Sequence, residues 1–260
     1  MDWIEALILG ILQGVTEFLP VSSTGHLYLG RHLFGLDEAG LFLDTMLHFG
    51  TLLAVVAVYR RELLHLLRHP ISHLSLLLVV GTIPTALIGI LFKDFFEEIS
   101  RTGITIGWEF LATGLILWIA DHLKDKGFKK LEDISVTDAI IIGTFQGAAI
   151  LPAISRSGLT IAAALYRGIH KSTAAYFSFF LSIPAIGGGF LLQGMELVTG
   201  RTQMLPLSSL LVATAMAALF GYLAVRWMIN LLKKGSLKGF AIYVWILGGL
   251  VLLLQFLGLF

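Results

Sequence analysis

The sequence predicts an all-α membrane protein that crosses the bilayer several times, and three observations support this fold class. Of the 260 residues, 57% are hydrophobic and only 13% are charged, about half the charged fraction of a soluble domain. The mean hydropathy is +0.87. Apolar runs of membrane-crossing length recur along the chain, and two further apolar regions are each broken by a proline with hydroxyl side chains after it.

Six apolar runs have roughly the 17–25 residues with which a helix crosses the hydrocarbon core. They cover residues 42–59, 74–92, 104–119, 174–192, 207–229 and 240–259. The third is the most polar, because Glu109 lies near its start. The triplet Gly187-Gly188-Gly189 lacks the lysine of a phosphate loop and is expected to allow close helix packing.

Residues 3–35 and 139–166 are also apolar, but Pro20 and Pro152 interrupt them. Their arms, about 12–17 residues long, are too short to cross a bilayer alone. We therefore expect two re-entrant hairpins, in which one helix enters to mid-depth and a second helix returns to the same side. Non-helical backbone at that depth requires protein or a water-filled cavity around it.

The two broken regions repeat each other. Ala6, Gly10, Gln13, Gly14, Ser22 and Gly25 match Ala139, Gly143, Gln146, Gly147, Ser155 and Gly158 at one constant offset. We therefore predict a single membrane domain made of two halves, about residues 1–125 and 135–260, each with one hairpin and three transmembrane helices. Because three is odd, the second half is predicted to be inverted, as in many transporters.

The distribution of positive charge predicts the orientation. Of the 18 Lys and Arg residues, Arg31, Lys93, Arg101 and Arg201 fall on one predicted face, and all the others except Arg156 fall on the opposite face. The richer face is expected to be cytoplasmic. Both termini and the opening of the first hairpin then face outward. A net charge of +1 argues against nucleic acid as a partner, and the absence of cysteine excludes disulfides and thiolate chemistry.

Glu17 and Arg156 are charged residues at predicted mid-membrane depth. A charge there costs about 2.5–3.5 kcal/mol, and such charges usually mark function. One interpretation is that the two residues pair as structural glue. The hydroxyl groups and the histidine that surround them favour a functional site.

Hydroxyl groups follow both prolines. The first stretch contains Ser22, Ser23, Thr24 and Gly25, and the second contains Ser155, Ser157, Gly158 and Thr160. Serine and threonine cap helix N-termini, and an N-terminus presents free N–H groups that bind phosphate. Arg156 adds a planar fork that matches phosphate oxygens. Two facing N-termini with one arginine predict a phosphate site; the alternative is that these serines only cap helices.

His26 lies one helical turn after Ser23, so the two side chains are expected to share a face. A neutral imidazole beside a hydroxyl can act as a base and then as an acid. Glu17 could orient this histidine, accept a proton, or bind Mg²⁺ or Ca²⁺ together with phosphate oxygens. Gln13, one turn before Glu17, offers hydrogen bonds without charge. His48 and Asp44, four residues apart in the first predicted crossing, could approach this site, but polar packing near the midplane is the expected function of His48.

Two stretches resemble the signatures of the undecaprenyl-pyrophosphate phosphatase family, also called bacitracin-resistance proteins. Residues 13–26 read Gln-Gly-Val-Thr-Glu-Phe-Leu-Pro-Val-Ser-Ser-Thr-Gly-His, and residues 152–160 read Pro-Ala-Ile-Ser-Arg-Ser-Gly-Leu-Thr. The hydropathy pattern of the family covers the whole chain. Two departures stand out. Gln13 stands where some members carry a second glutamate, so a two-carboxylate metal site does not carry over, and Ala153 replaces the usual glycine.

The resemblance implies removal of the terminal phosphate from undecaprenyl pyrophosphate, a lipid carrier of cell-wall synthesis. It further implies bacitracin resistance, a divalent cation, and chemistry on the outer side of the bacterial inner membrane. The acidic residue of the family maps to Glu17, its serines to Ser22 and Ser23, its histidine to His26 and its arginine to Arg156.

We therefore expect Ser23 to attack the terminal phosphorus while His26 and Glu17 manage protons, with His26 as nucleophile the variant. Arg156, the helix N-termini and a cation would hold the pyrophosphate. The rival function is a lipid-phosphate flippase or anion carrier, which needs anion donors but no nucleophile beside a base. A third interpretation is a structural membrane protein whose hairpins are stabilised by capping. The sequence leaves association into a homodimer open.

Overall fold

A computed structural model describes residues 1–36, 40–198 and 205–259. Within these residues the chain forms twelve α-helices and no β-strand. The helices are α1 (Trp3–Glu17), α2 (Ser23–Leu33), α3 (Gly40–Val58), α4 (Arg60–Arg68), α5 (His73–Leu91), α6 (Lys93–Thr102), α7 (Ile106–Leu123), α8 (Val136–Ala148), α9 (Arg156–Tyr166), α10 (Lys171–Val198), α11 (Leu207–Lys234) and α12 (Lys238–Phe256). Arg201, which the charge count places on the outer face, lies outside the described residues.

The six predicted transmembrane runs correspond to α3, α5, α7, α10, α11 and α12. Five of these helices are each long and apolar enough to cross a membrane, and α3 makes a sixth when it is counted with α4, toward which it bends by 81°. The fold class, an all-α protein with several membrane crossings, is therefore confirmed. The short helices α4 and α6 were not predicted and replace expected loops.

Both proline-broken regions are pairs of short helices. The arms α1 and α2 have 15 and 11 residues, and α8 and α9 have 13 and 11. At 1.5 Å per residue none reaches the ~30 Å of the hydrocarbon core. The two arms of each region pack against each other, so each region folds back as a hairpin.

The first arms of the two hairpins begin with the same device. Asp2 caps α1 by accepting from the backbone N–H groups of Ile4 and Glu5, and the Glu5 carboxylate accepts from the N–H of Asp2. Ser135 and Asp138 form the same reciprocal pair at the start of α8. Such a capping box satisfies two backbone donors that a helix start leaves free.

The first arm of each hairpin packs on a long apolar helix at small residues. Helix α1 packs on α11, and α8 packs on α5. A side chain at Gly10 would collide with the Ala213 carbonyl oxygen, and one at Gly143 would collide with the Gly81 carbonyl oxygen. A repeat that relates α1 to α8 and α11 to α5 would produce this packing; the inversion of the halves stays a prediction.

The expectation for Gly187-Gly188-Gly189 was wrong. In the part of the chain that the structure describes, a side chain at any of these positions would meet no atom of a neighbouring helix within 4 Å. Small residues permit close helix packing, but whether a partner helix lies opposite depends on the tertiary arrangement.

Candidate active site

The two broken segments meet, as predicted, and hydrogen bonds join them in both directions. The Ser22 hydroxyl donates to the Pro152 carbonyl oxygen at 2.8 Å, and the Ser157 hydroxyl donates to the Leu19 carbonyl oxygen at 2.9 Å. These carbonyl groups lie where the helices are interrupted and therefore lack helical partners. Each break thus satisfies part of the exposed backbone of the other, as non-helical chain at membrane depth requires.

Serines cap the returning helices of both hairpins. Ser22 Oγ accepts from the Gly25 N–H at 3.3 Å, and Ser155 Oγ accepts from the Gly158 N–H at 3.1 Å. Ser22 has a φ of +67°, a left-handed conformation that costs a non-glycine residue of order 1–3 kcal/mol and persists only when its surroundings impose it. The bond from Ser22 to the second hairpin is one such constraint.

Glu17 is the centre of the polar cluster and is 5% exposed. Its Oε1 accepts from Arg156 Nη2 at 2.5 Å, so the carboxylate joins the two hairpins. Its Oε2 accepts from the Ser23 hydroxyl at 2.5 Å and from Gln13 Nε2 at 2.9 Å. A serine hydroxyl that donates to a carboxylate is arranged to give up its proton to that carboxylate.

Two polar atoms of the cluster have unused capacity. Arg156 Nη1 and Gln13 Oε1 are buried, and neither has a hydrogen-bond partner among the described residues. A buried polar atom without a partner costs free energy and calls for an explanation. A free guanidinium donor fits an anionic oxygen, and a free amide oxygen fits a donor or a cation.

Helix α3 adds His48 to this cluster. His48 Nε2 lies 3.5 Å from Glu17 Oε2, and its Nδ1 lies 2.7 Å from the Asp44 carbonyl oxygen. Thr51, one turn further on, accepts a longer hydrogen bond of 3.4 Å from Gln13 Nε2. The sequence favoured polar packing for His48 over an approach to the site, whereas the side chain reaches the acidic centre of the cluster.

His26 does not pair with Ser23 or with Glu17 in the structure. Its Nδ1 lies 2.6 Å from the Ser22 carbonyl oxygen, and its Nε2 lies 2.7 Å from the Tyr243 hydroxyl. The expected pairing with Ser23 rested on their spacing of one helical turn. The ring instead folds back onto the carbonyl four residues earlier, while the Ser23 hydroxyl reaches the end of α1. A function for His26 in proton transfer stays a prediction.

Helix α7 fixes the second break through residues that sequence reasoning missed. Glu109 Oε2 accepts from the Ala153 N–H at 2.5 Å. Thr113 donates to the Ala153 carbonyl oxygen at 3.0 Å and accepts from the Ser155 N–H at 3.1 Å. The sequence does contain a feature that could have identified this contact. Glu109 is an acidic residue in an apolar run, and Thr113 follows one turn later on the same face.

The remaining predicted binding residues form the frame of the site. Gly25 packs so closely that a side chain would meet Phe110 at 2.7 Å and Ala153 at 3.0 Å. Thr24 is half-buried in the first turn of α2. The Thr160 hydroxyl faces the protein interior and bonds the Arg156 carbonyl oxygen and the Ser178 hydroxyl.

The donor set for a metal is small. Among residues 1–36, 40–198 and 205–259, no three His, Asp or Glu side chains are grouped as a metal site. Near the cluster the chain offers the Glu17 carboxylate and the free Oε1 of Gln13 as oxygen donors. A hard cation held here would therefore take most of its oxygens from a ligand such as pyrophosphate.

Comparison with known proteins places the chain among relatives of full length. It is 63% identical over 260 residues to "Undecaprenyl-diphosphatase 3" of Bacillus cereus, with all of both chains covered. It is 49% identical over 262 residues to "Undecaprenyl-diphosphatase" of Carboxydothermus hydrogenoformans, again over all of both chains. A protein of the same name from Halothermothrix orenii is 39% identical over 256 residues, 98% of each chain.

The family described as "Bacitracin resistance protein BacA" matches residues 6–250 of the chain. This match includes both hairpins, the Glu17 cluster and all six apolar helices that correspond to the predicted crossings. The chain therefore belongs to the bacitracin resistance protein family.

Proposed function

We propose that the protein is a membrane phosphatase that hydrolyses undecaprenyl pyrophosphate to undecaprenyl phosphate and inorganic phosphate, and so recycles the lipid carrier of cell-wall synthesis. The observation that carries this function is the Ser23 hydroxyl bonded to the Glu17 carboxylate, whose other oxygen bonds Arg156. A carrier needs anion donors, but it does not need a hydroxyl beside a base. The printed names of the full-length relatives support the same activity.

The pyrophosphate binds between the two hairpins. Arg156 Nη1 is a buried donor that a phosphate oxygen can satisfy. The first N–H groups of α2 and α9 have no partners within their own helices, and the positive ends of both helix dipoles favour an anion. The hydroxyl groups of Ser22, Ser155 and Ser157 hold these helix starts in place.

Ser23 is the nucleophile in this proposal. Its oxygen forms a bond to the terminal phosphorus, its proton passes to Glu17, and the bond to the lipid phosphate oxygen breaks. Water then attacks the phosphoserine and releases inorganic phosphate. The protein contributes mainly charge stabilisation and positioning, as phosphoryl transfer requires.

His26 transfers protons for the leaving group and for the attacking water. Its Nε2 bonds a tyrosine hydroxyl rather than Ser23, which supports a proton-transfer function separate from activation of the serine. His26 as the nucleophile is the variant. A trapped phospho-enzyme separates the two, because phosphoserine survives acid and phosphohistidine does not.

A divalent cation, Mg²⁺ or Ca²⁺, fits the site together with the substrate. Glu17 and the free Oε1 of Gln13 would hold it, and it would neutralise charge on the diphosphate. We expect Ca²⁺ to raise the unfolding midpoint in the presence of a non-hydrolysable diphosphonate, and the Glu17→Gln variant to lose this shift. The same shift in Glu17→Gln would remove Glu17 from the cation site.

The protein acts as a multi-pass protein of the bacterial inner membrane, with its site open to the outer side. The orientation is supported by the excess of Lys and Arg on the face opposite the first hairpin. The Leu33→Cys variant, at a side chain that is 82% exposed at the end of α2, should react with a membrane-impermeant maleimide in whole cells. The mass of the purified protein in detergent tests whether it forms a homodimer, which the sequence leaves open.

Phosphate release decides between the functions. The purified protein is incubated with a polyprenyl pyrophosphate, with and without Mg²⁺ or Ca²⁺, beside the variants Ser23→Ala, His26→Ala and Arg156→Ala. We expect turnover by the wild type and strong loss in all three variants. A well-folded wild type that releases no phosphate would reject the phosphatase and favour a carrier.

A further inference from the structure

The two ring nitrogens of His26 have different partners. Nδ1 faces the Ser22 carbonyl oxygen at 2.6 Å, and Nε2 faces the Tyr243 hydroxyl at 2.7 Å. A carbonyl oxygen only accepts hydrogen bonds, so Nδ1 carries a proton whether the ring is neutral or charged. In the neutral ring Nε2 is therefore an acceptor, and Tyr243 donates to it.

Tyr243 reaches this position from α12, 217 residues away along the chain. Its ring stacks on that of His26, with centroids 5.7 Å apart and planes 14° apart, and Phe110 meets His26 edge-on at 5.5 Å. His26 is 5% exposed, whereas Tyr243 is 46% exposed. Among the described residues, Tyr243 is the titratable side chain in contact with the His26 ring.

Helix α12 packs against α7, and this contact positions the part of α12 that carries Tyr243. Trp245 Nε1 donates to the Leu111 carbonyl oxygen at 3.0 Å. A side chain at Gly248 would lie 2.8 Å from the Gly107 carbonyl oxygen, so the two backbones are nearly in contact. The backbone that carries Tyr243 is therefore held in place against α7.

We propose that Tyr243 is a positioning residue of the active site, whose hydroxyl keeps Nε2 of His26 hydrogen-bonded while the ring gains and loses a proton. This inference rests on the proposed phosphatase function, in which His26 transfers protons. Sequence reasoning did not identify Tyr243, because tyrosine is expected at membrane interfaces without a catalytic reason.

A hydroxyl suits this task because it both donates and accepts. In the neutral ring the Tyr243 O–H donates to Nε2. When Nε2 takes a proton, the new N–H donates to the Tyr243 oxygen and the hydroxyl hydrogen turns away. Tyr243 has no net gain or loss of protons: the ring gives its proton to the oxygen of the leaving lipid phosphate and takes one back from the water that attacks the phosphoserine.

Removal of the hydroxyl affects the two forms of the ring unequally. In the neutral ring, the lone pair of Nε2 would lose the hydrogen bond that it accepts from the Tyr243 hydroxyl. The charged ring would bury an N–H without an acceptor, which is the more costly loss because the group carries charge. The protonated form is therefore disfavoured, and the step that requires it slows.

The test compares Tyr243→Phe with Tyr166→Phe in the purified full-length protein. Tyr243→Phe keeps the stacked ring and removes only the oxygen; Tyr166 is 75% exposed at the end of α9 and serves as the matched control. Hydrolysis of a polyprenyl pyrophosphate is followed across pH, and unfolding midpoints are recorded.

For Tyr243→Phe we expect kcat to fall about tenfold, the kinetic equivalent of roughly one hydrogen bond. KM should stay close to that of the wild type, the histidine limb of the pH–rate profile should move to lower pH, and Tyr166→Phe should match the wild type.

Three outcomes would overturn the inference. One is a Tyr243→Phe variant with wild-type kcat and pH profile. Another is a Tyr243→Phe variant whose loss of activity is fully explained by a smaller fraction of folded protein. The third uses the ¹⁵N signals of histidine-labelled protein, which report ring protonation without turnover. The inference would be overturned if the His26 signals of wild type and Tyr243→Phe titrated over the same pH range. An inactive wild type would reject the phosphatase function itself, and the ¹⁵N comparison would still test whether Tyr243 supports the protonated ring.

Discussion

Arg156 Nη2 donates to Glu17 Oε1 at 2.5 Å and joins two residues that lie 139 positions apart in the chain. Each residue belongs to a different hairpin; the Glu17 side chain is buried and the Arg156 side chain is partly buried in an apolar protein. This ion pair fits the interpretation that Glu17 and Arg156 serve a structural function, because their opposite charges compensate each other. Arg156 Nη1 has no hydrogen-bond partner among the residues that the structure describes, and this unused donor favours a ligand over a purely structural pair.

Arg156→Lys tests whether the planar fork matters beyond its charge. Lysine can keep the ion pair with Glu17 but cannot also present a second coplanar donor. Loss of one charge-assisted hydrogen bond should lower kcat/KM roughly tenfold to a hundredfold. Steady-state phosphate release measures this, with Arg101→Lys as the control, because Arg101 is exposed and pairs locally with Glu98. Activity within twofold of wild type would contradict the clamp.

The sequence predicted the main elements of the site because their chemistry is conspicuous in lipid. A proline, consecutive hydroxyl groups and a buried charge interrupt long apolar runs, so both hairpins, Glu17 and Arg156 were identifiable. The capping function of Ser22 and Ser155 followed from their position at helix starts. These inferences depend on local sequence and on the cost of polar groups in a membrane.

Partners that arrive from distant helices were not predictable in the same way. Tyr243 and His48 occur in apolar runs where an interfacial or packing function is the usual explanation, and their contacts with His26 and Glu17 depend on how helices are arranged in space. The pairing of Ser23 with Glu17 rather than with His26 depends on the conformation of the break. Ser23 and His26 both lie in α2, but their helical spacing fixes only where the side chains begin and not which hydrogen-bond partners their ends reach.

Ser22→Ala and Ser23→Ala should separate stability from activity in adjacent serines. Ser22 caps α2 and satisfies the Pro152 carbonyl oxygen, so its loss should cost about 1–3 kcal/mol of unfolding free energy. Ser23→Ala should instead abolish turnover by several orders of magnitude, as loss of a nucleophile does. Unfolding midpoints and phosphate release measure the two effects. Equal effects of both variants on both quantities would argue that Ser23 also serves only the frame.

Glu109→Ala should loosen the second hairpin at its break. The variant leaves the Ala153 N–H buried without an acceptor, which costs about 1–3 kcal/mol of unfolding free energy. The loosened segment should also displace Arg156, so kcat should fall. Glu109→Gln keeps an acceptor oxygen and should stay close to wild type. Leu115→Ala, on the same helix at an exposed position, controls for truncation. Wild-type stability and kcat in Glu109→Ala would show that Thr113 alone holds the segment.

Gly143→Ala should destabilise the protein through one methyl group. The added carbon would collide with the Gly81 carbonyl oxygen, so α8 must move away from α5 or the backbone must distort. Overpacking of this kind typically costs about 1–3 kcal/mol. Gly249→Ala is the matched control, because its methyl group would meet nothing within 4 Å and alanine favours the helix by up to about 1 kcal/mol. Thermal unfolding in detergent should therefore give a lower midpoint for Gly143→Ala and an unchanged or higher one for Gly249→Ala. Equal midpoints for the two variants would mean that the contact between α8 and α5 does not limit the stability of the second hairpin.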